Sequence, residues 1–215
     1  MKLYSQPMRA FVAISYPQDL RVELARRARS LVGDVRDVRC MSAESLHLTL
    51  AFLGEVPAHS TDSIRSGLEA ATRGRSPFVL RFGGGGTFPT GGEPSVAWVG
   101  ISGDLDAVRD LQAAVTREMQ GIGLRMGARP FSPHVTLARI GRQATLSTRM
   151  GVARRFEAAR LGTLGAHTVT AVSLFESDLS PAGAVYREVL EVDFDADAPP
   201  AAEAERGFRL FNRRR

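Results

Sequence analysis

Ser45-Leu46-His47-Leu48-Thr49-Leu50 in the first half of the chain has a counterpart in the second half, Ser132-Pro133-His134-Val135-Thr136-Leu137. Both segments read H-x-T-x with an apolar residue at each x. Because successive side chains of a strand point to opposite faces, each histidine shares a face with its threonine while the apolar residues face the core. Two matched copies, one in each half, predict a strand of this kind in each of two related lobes.

Hydrophobic periodicity and turn residues around these segments predict a mixture of strands and helices. Strands are expected at 9–16, 46–53, 78–82, 96–101, 131–140, 168–176 and 185–194, and helices at 18–32, 60–73, 104–122 and 146–159. Strict βαβ alternation is absent, which favours an α+β fold with antiparallel sheets. The run from Gly83 to Gly86 lacks the G-K-S/T ending of a phosphate-binding loop and a following helix, so we expect a turn between strands.

The composition indicates a globular protein, with 44% hydrophobic and 24% charged residues among 215. No run approaches the roughly 18 consecutive apolar residues of a membrane span, and the first ten residues contain no secretory signal. Cys40 is the single cysteine, which excludes an intramolecular disulfide and favours a reducing, cytoplasmic compartment. We expect a plain thiol there, because no neighbouring histidine would activate it.

The formal net charge is +5, and Lys2 is the only lysine, so the positive charge is almost all arginine. Arginine suits phosphate recognition, which fits an RNA partner; an arginine-biased genome would give the same composition, and composition alone does not choose. From Asp195 the sequence shifts to Ala, Pro and charge and ends in three arginines. We expect residues 195–215 to form a disordered basic tail, a candidate for nonspecific RNA affinity.

Two histidines on facing strands are suited to acid–base chemistry near neutral pH. One can take a proton from an attacking water while the other gives a proton to a leaving oxygen, and threonine hydroxyls can donate to phosphate oxygens. A zinc site is the competing interpretation, but no helical histidine pair or nearby carboxylate completes a ligand set. His59 also begins an H-x-T triplet, but it lacks the apolar alternation and is read as a surface residue; His167 is read as structural.

With these motifs, the chain from Arg9 to Phe194 resembles the bacterial and archaeal RNA 2′,3′-cyclic phosphodiesterases. That group is also described as the 2′-5′ RNA ligase family of the 2H phosphoesterase superfamily. The segments that carry the resemblance are 9–14, 47–56, Gly86-Thr87-Phe88-Pro89 before Trp98, 129–139, and Leu174-Phe175-Glu176-Ser177 followed by Gly183 and Tyr186.

The resemblance implies one two-lobed domain over residues 1–194, pseudo-symmetric, each lobe an antiparallel sheet with helices outside and a cleft between them. It implies hydrolysis of an RNA terminal 2′,3′-cyclic phosphate to a 2′-phosphate, with no metal and no cofactor. It makes His47 the proton donor and His134 the proton acceptor, with Thr49 and Thr136 holding the phosphate oxygens.

Arg139 belongs to the second family motif, and the resemblance adds it as a phosphate-binding candidate. Strict alternation places its side chain opposite His134, so it reaches the cleft only if the strand ends or bends there. Phe52 and Phe131 are candidates for stacking on a base, although core packing is the role we favour for each.

Other functions stay open at this point. Ligation to a 2′-5′ linkage is the same transfer with a 5′ hydroxyl replacing water, and a small cyclic nucleotide could replace RNA as substrate. A noncatalytic RNA-binding module is a third possibility, although binding alone needs no matched imidazoles. We expect RNA ends as the partner, no membrane, no obligate protein partner, and a monomer.

Overall fold

The computed structural model describes residues 7–90, 92–127, 130–159, 161, 164–180 and 183–197. Within these residues there are nine strands and four α-helices. The strands are β1 (Met8–Ile14), β2 (Val38–Cys40), β3 (Leu48–Val56), β4 (Phe78–Phe88), β5 (Val96–Gly103), β6 (His134–Ile140), β7 (Ala166–Val169), β8 (Ala171–Ser180) and β9 (Gly183–Asp193). The helices are α1 (Gln18–Val32), α2 (Thr61–Thr72), α3 (Leu105–Gly121) and α4 (Leu146–Ala158).

The strands form two antiparallel sheets, which confirms the predicted α+β class. The first sheet has the order β3-β1-β8-β9 and the second the order β2-β6-β5-β4-β7. Helices α2 and α3 pack against the first sheet, whereas α1 and α4 pack against the second. The two sheets contact each other through β3 and β6, the strands that carry the two H-x-T-x motifs.

Helix α1 shows how the sequence determines these boundaries. Leu24, Ala25, Ala28 and Val32 are buried along one face, at the spacing that an amphipathic helix requires. Gly33 then adopts φ +62, a conformation that glycine enters without steric cost and that ends the helix. The observed range is the predicted one, 18–32.

The predicted turn at Gly83–Gly86 is wrong, because β4 continues through these glycines to Phe88. A Cβ at Gly86 would overlap the indole ring of Trp98, and a Cβ at Gly85 would overlap the backbone oxygen of Phe156. The glycines are therefore strand residues that allow an aromatic ring and a helix to approach the sheet closely.

The expected strand over 168–176 is also wrong, since it is interrupted at Thr170. β7 pairs with β4 of the second sheet, whereas β8 pairs with β1 and β9 of the first. The short strand β2 was not predicted; it pairs with β6, so the first half of the chain contributes β2 as well as β4 and β5 to the second sheet.

The described part of the chain has no helix long and apolar enough to cross a membrane. Asp195, at the start of the predicted tail, forms a parallel bridge with Arg73. Residues 198–215, the rest of that tail, lie outside the described residues, as does Arg129 of the second motif segment.

Candidate active site

His47 immediately precedes β3, and Thr49 is the second residue of that strand. The His47 Nε2 atom lies 3.0 Å from Thr49 Oγ1. The ring also hydrogen-bonds to the backbone of Ser45, a contact that partly offsets the lowering of the His47 pKa by burial; because Nε2 faces Thr49, this bond falls to Nδ1. The carbonyl thus fixes the tautomer, and Nε2 accepts from the threonine hydroxyl in the neutral ring.

His134 repeats this arrangement in the second sheet. Its Nδ1 atom lies 2.7 Å from the carbonyl oxygen of Ser132, again two residues before the histidine. A carbonyl accepts only, so Nδ1 carries the proton and Nε2 presents a lone pair. The two motifs therefore hold their imidazoles in the same tautomer by the same local contact.

A β-bulge follows the threonine of each motif. Thr49 pairs with Ala13 and Ala51 with Val12, which leaves Leu50 as the extra residue. In β6, Thr136 pairs with Trp98 and Ala138 with Ala97, which leaves Leu137 as the extra residue. An extra residue reverses the alternation beyond it.

The bulges bring the residue five positions after each motif histidine back to the face that carries the histidine and threonine, which we call the motif face. In the first motif this residue is Phe52, and in the second it is Arg139. Arg139 is exposed, and its charge lowers the pKa of both His47 and His134. The bulge thus supplies the bend that the sequence argument required, and the charge of Arg139 acts on both imidazoles.

Aromatic rings surround His47. Phe11 stacks on it with ring centroids 4.6 Å apart, Phe175 stacks at 5.9 Å, and Tyr186 meets it edge-on at 5.2 Å. Burial among these rings disfavours the charged imidazole and lowers the pKa of His47 to about 4. His47 is therefore neutral at pH 7 in the unliganded protein.

The surroundings of His134 differ. Phe88 meets its ring edge-on at 5.0 Å, and Trp98 does so at 6.4 Å. Burial again lowers the pKa. Gly100 pairs with His134, and Gly86 pairs with Trp98, so glycines opposite these two side chains leave space for the aromatic rings beside His134.

A buried arginine fixes the end of β6. Arg149 is only 7% exposed. Its guanidinium donates to the carbonyl oxygens of Pro94 at 2.7 Å and Gly141 at 2.9 Å. Pro94 precedes β5 and Gly141 follows β6, so Arg149 ties these strand ends together next to Arg139.

The structure places the other candidates as follows. Phe52 is 68% exposed, so the core role favoured for it is wrong. Phe131 is partly buried and packs against the core, as favoured. His59 is exposed, and His167 is half-buried and edge-on to Tyr16. Among the described residues, no three His, Cys, Asp or Glu side chains cluster as metal ligands would.

Sequence reasoning assigned no site role to the rings around His47. Phe11 pairs with both Phe52 and Phe175 across the first sheet, so the three share the motif face. The alternation of β1 places Phe11 on the face opposite Ala10 and Val12. Predicting that Phe11 lies beside His47 would also have required the register of three strands that are distant in sequence.

Comparison with known proteins identifies relatives in sequence and in fold. An RNA 2′,3′-cyclic phosphodiesterase of Archaeoglobus fulgidus is 30% identical over 182 residues, covering 85% of this chain and 98% of that protein. A solved structure from Thermus thermophilus matches with a TM-score of 0.72 at 27% identity, covering 88% of this chain and all of the other. E. coli LigT complexed with 3′-AMP matches with a TM-score of 0.70 at 25% identity, covering 88% and 99%.

The family model of the 2′-5′ RNA ligase superfamily matches residues 16–180. This range contains both H-x-T-x motifs, both bulges and Arg139. The chain therefore belongs to the 2′-5′ RNA ligase superfamily.

Proposed function

We propose that this protein is an RNA 2′,3′-cyclic phosphodiesterase that hydrolyses a terminal cyclic phosphate to a 2′-phosphate by acid–base catalysis with two histidines. The observation that supports it best is the duplicated motif. Two imidazoles, each on the same strand face as a threonine and each held through Nδ1 by a backbone contact, are carried on bulged strands that contact each other. Relatives named for this activity add support.

His134 is assigned as the base. Its Nε2 lone pair accepts a proton from water as the water oxygen bonds to phosphorus. The bond from phosphorus to the 3′ oxygen breaks, and His47 Nε2 donates a proton to that oxygen. The products are a 2′-phosphate and a 3′ hydroxyl, and both histidines exchange their protons through solvent before the next turnover.

The remaining candidates stabilise charge. Thr49 and Thr136 donate hydrogen bonds to the non-bridging phosphate oxygens, and Arg139 places a positive charge beside the developing negative charge. In the unliganded protein Thr49 faces His47 Nε2. When His47 becomes protonated, both ring nitrogens are donors, so the threonine hydroxyl is released to donate to the phosphate.

His47 acquires its proton through substrate binding. A neutral His47 cannot donate, yet a phosphate anion next to the ring raises its pKa by opposing the effect of burial. His47 therefore becomes protonated when substrate is bound and stays neutral when the site contains only water.

Phe52 is assigned to base stacking. Its ring is 68% exposed on the motif face, 6.1 Å from Phe11 between ring centroids. A flat exposed aromatic ring beside the candidate phosphate-binding residues suits stacking with any base. The structural similarity to a LigT structure complexed with 3′-AMP supports a nucleotide as ligand.

Ligation to a 2′-5′ linkage would use the same residues, by microscopic reversibility. The high concentration of water favours hydrolysis as the net reaction. A small cyclic nucleotide is the remaining substrate alternative. A noncatalytic RNA-binding module is less well supported, because binding alone does not require two matched imidazoles.

The test is incubation of RNA ending in a 2′,3′-cyclic phosphate with the purified protein in EDTA, with identification of the product. We expect a 2′-phosphate, and a rate loss of at least about 100-fold in His47→Ala and in His134→Ala. His59→Ala is the matched control, because His59 also begins an H-x-T triplet but lies outside both motifs. Loss of activity in only one of the two motif variants would contradict the paired mechanism, and absence of turnover by folded wild type would contradict the function.

We also propose that residues 1–194 form one domain that acts as a monomer on RNA ends. A variant ending at Asp197 retains the bridge between Arg73 and Asp195. It is expected to elute as a monomer and to keep full activity on a short RNA, with weaker RNA binding at low salt if the basic tail contributes affinity. Inactivity of this variant would refute the proposal that residues 1–194 are sufficient for activity.

A further inference from the structure

A second arginine lies across from Arg139 on the edge strand of the second sheet. Arg39 and Arg139 are register partners in the antiparallel pair of β2 and β6, and partners of this kind project from the same face of a sheet. Val38 and Cys40 pack against the core. Arg39, between them in β2, therefore points to the opposite side, the motif face, and its side chain is exposed.

Arg39 and Arg139 together place two positive charges at this end of the motif face. Among the described residues, no acidic side chain forms an ion pair with Arg139. An anion on this face would interact favourably with both guanidinium groups. Arg139 acts electrostatically on both histidines, and Arg39 lies one strand further out. The two arginines can therefore contact a second phosphate group in addition to the reacting one.

The distribution of charge across the motif faces also indicates the direction in which an RNA backbone leaves the site. At β9, the far edge of the first sheet, Glu188 pairs with Phe175 and Glu191 with Ser173, so both carboxyl groups project from the motif face. A polyanion is repelled from that edge and attracted to the second sheet, whose edge strand β2 carries Arg39. An RNA backbone is therefore expected to leave the site over Arg39.

We propose that Arg39 binds the phosphodiester that joins the terminal nucleoside to the preceding nucleotide, so that the site selects RNA ends over mononucleoside cyclic phosphates. This inference rests on the proposed function and specifies its substrate class. A 2′,3′-cyclic phosphate closes the 3′ end of a chain, so the only further phosphate is attached through the 5′ oxygen. Neighbouring strands are about 4.8 Å apart, which allows two arginines on adjacent strands to contact two successive phosphates.

The experiment compares two substrates of the same base: a nucleoside 2′,3′-cyclic phosphate without a 5′ phosphate, and a dinucleotide ending in the same cyclic phosphate. Arg39→Ala is expected to lower kcat/KM for the dinucleotide about tenfold or more, as for loss of a charge-assisted contact, and to leave the mononucleoside unchanged. Arg154→Ala is the matched control, since it removes an exposed arginine from α4, away from the motif face.

Binding provides a readout that does not depend on turnover. The affinity for a short RNA with a 3′-terminal 2′-phosphate is measured by fluorescence anisotropy at several salt concentrations. Loss of one phosphate contact is expected to reduce the slope of log K against log salt by about 0.7 in Arg39→Ala and not in Arg154→Ala. Arg39→Lys keeps the charge and is expected to keep the slope.

The outcomes separate the two proposals. Turnover of both substrates by wild type, with equal effects of Arg39→Ala on both, would overturn the Arg39 assignment and leave the proposed function standing. An unchanged salt slope in Arg39→Ala would overturn it as well. Absence of turnover of either substrate by wild type would overturn the proposed function, and the Arg39 assignment with it.

Discussion

Binding of an anion should convert His47 from a neutral to a charged side chain, and this can be measured directly. The pKa of His47 is lowered to about 4 by burial among aromatic rings. A single negative charge about 4 Å from the ring contributes about 4 kcal/mol at an effective dielectric constant of about 20. This energy corresponds to a rise of about 3 pKa units, which brings the pKa to about 7.

Sulfate is a suitable probe, because it keeps its charge over the range in which histidine titrates. The chain has four histidines, so their Cε1 proton resonances can be followed by NMR as a function of pH, with and without saturating sulfate. At pH 6, His47 is expected to change from about 1% protonated to about 90% protonated. His167 provides an internal control, since it lies on β7, at the opposite end of the second sheet from β2.

Two results would refute this reasoning. If His47 titrates near 6.5 without sulfate, burial does not control its charge. If sulfate shifts His134 but not His47, the anion does not bind between the two motifs. An equal shift of His167 would indicate a general salt effect rather than a site.

Three further predictions concern stability and single contacts. Because the lowered pKa of His47 favours folding when the ring is neutral, the free energy of unfolding should fall by about 3 kcal/mol between pH 6.5 and pH 4, and by less in His47→Gln, as measured by urea unfolding. Thr49→Val should lower kcat/KM by about 10- to 100-fold while Thr49→Ser retains activity, because a hydroxyl bonded to a charged group contributes about 1.5–3 kcal/mol. Gly86→Ala should destabilise the protein by about 1–3 kcal/mol in thermal unfolding, because its Cβ would overlap the Trp98 ring; Gly84→Ala, whose Cβ would meet no atom within 4 Å, should cost less, and equal costs would contradict the packing argument.

The fold class and both motifs were predictable because they depend on local periodicity. The apolar alternation around His47 and His134 and the buried stripe of α1 are set within a few residues. The bulges were not predicted, although each leaves a trace: Leu50-Ala51 and Leu137-Ala138 place two apolar residues in succession where alternation requires one. The aromatic surroundings of His47 depend on β1, β8 and β9 meeting in one register, which no local pattern determines.

We propose that the bulges adapt the duplicated motif to an asymmetric substrate. Both motifs read H-x-T-L-A up to the sixth position, where the first has Phe52 and the second Arg139. Without the extra residue, both side chains would point to the core, where a guanidinium is costly to bury. With it, one lobe presents an exposed ring and the other a positive charge at equivalent places. A nucleoside and its phosphate differ in the same way, so we propose that this position helps to orient the substrate between the two histidines.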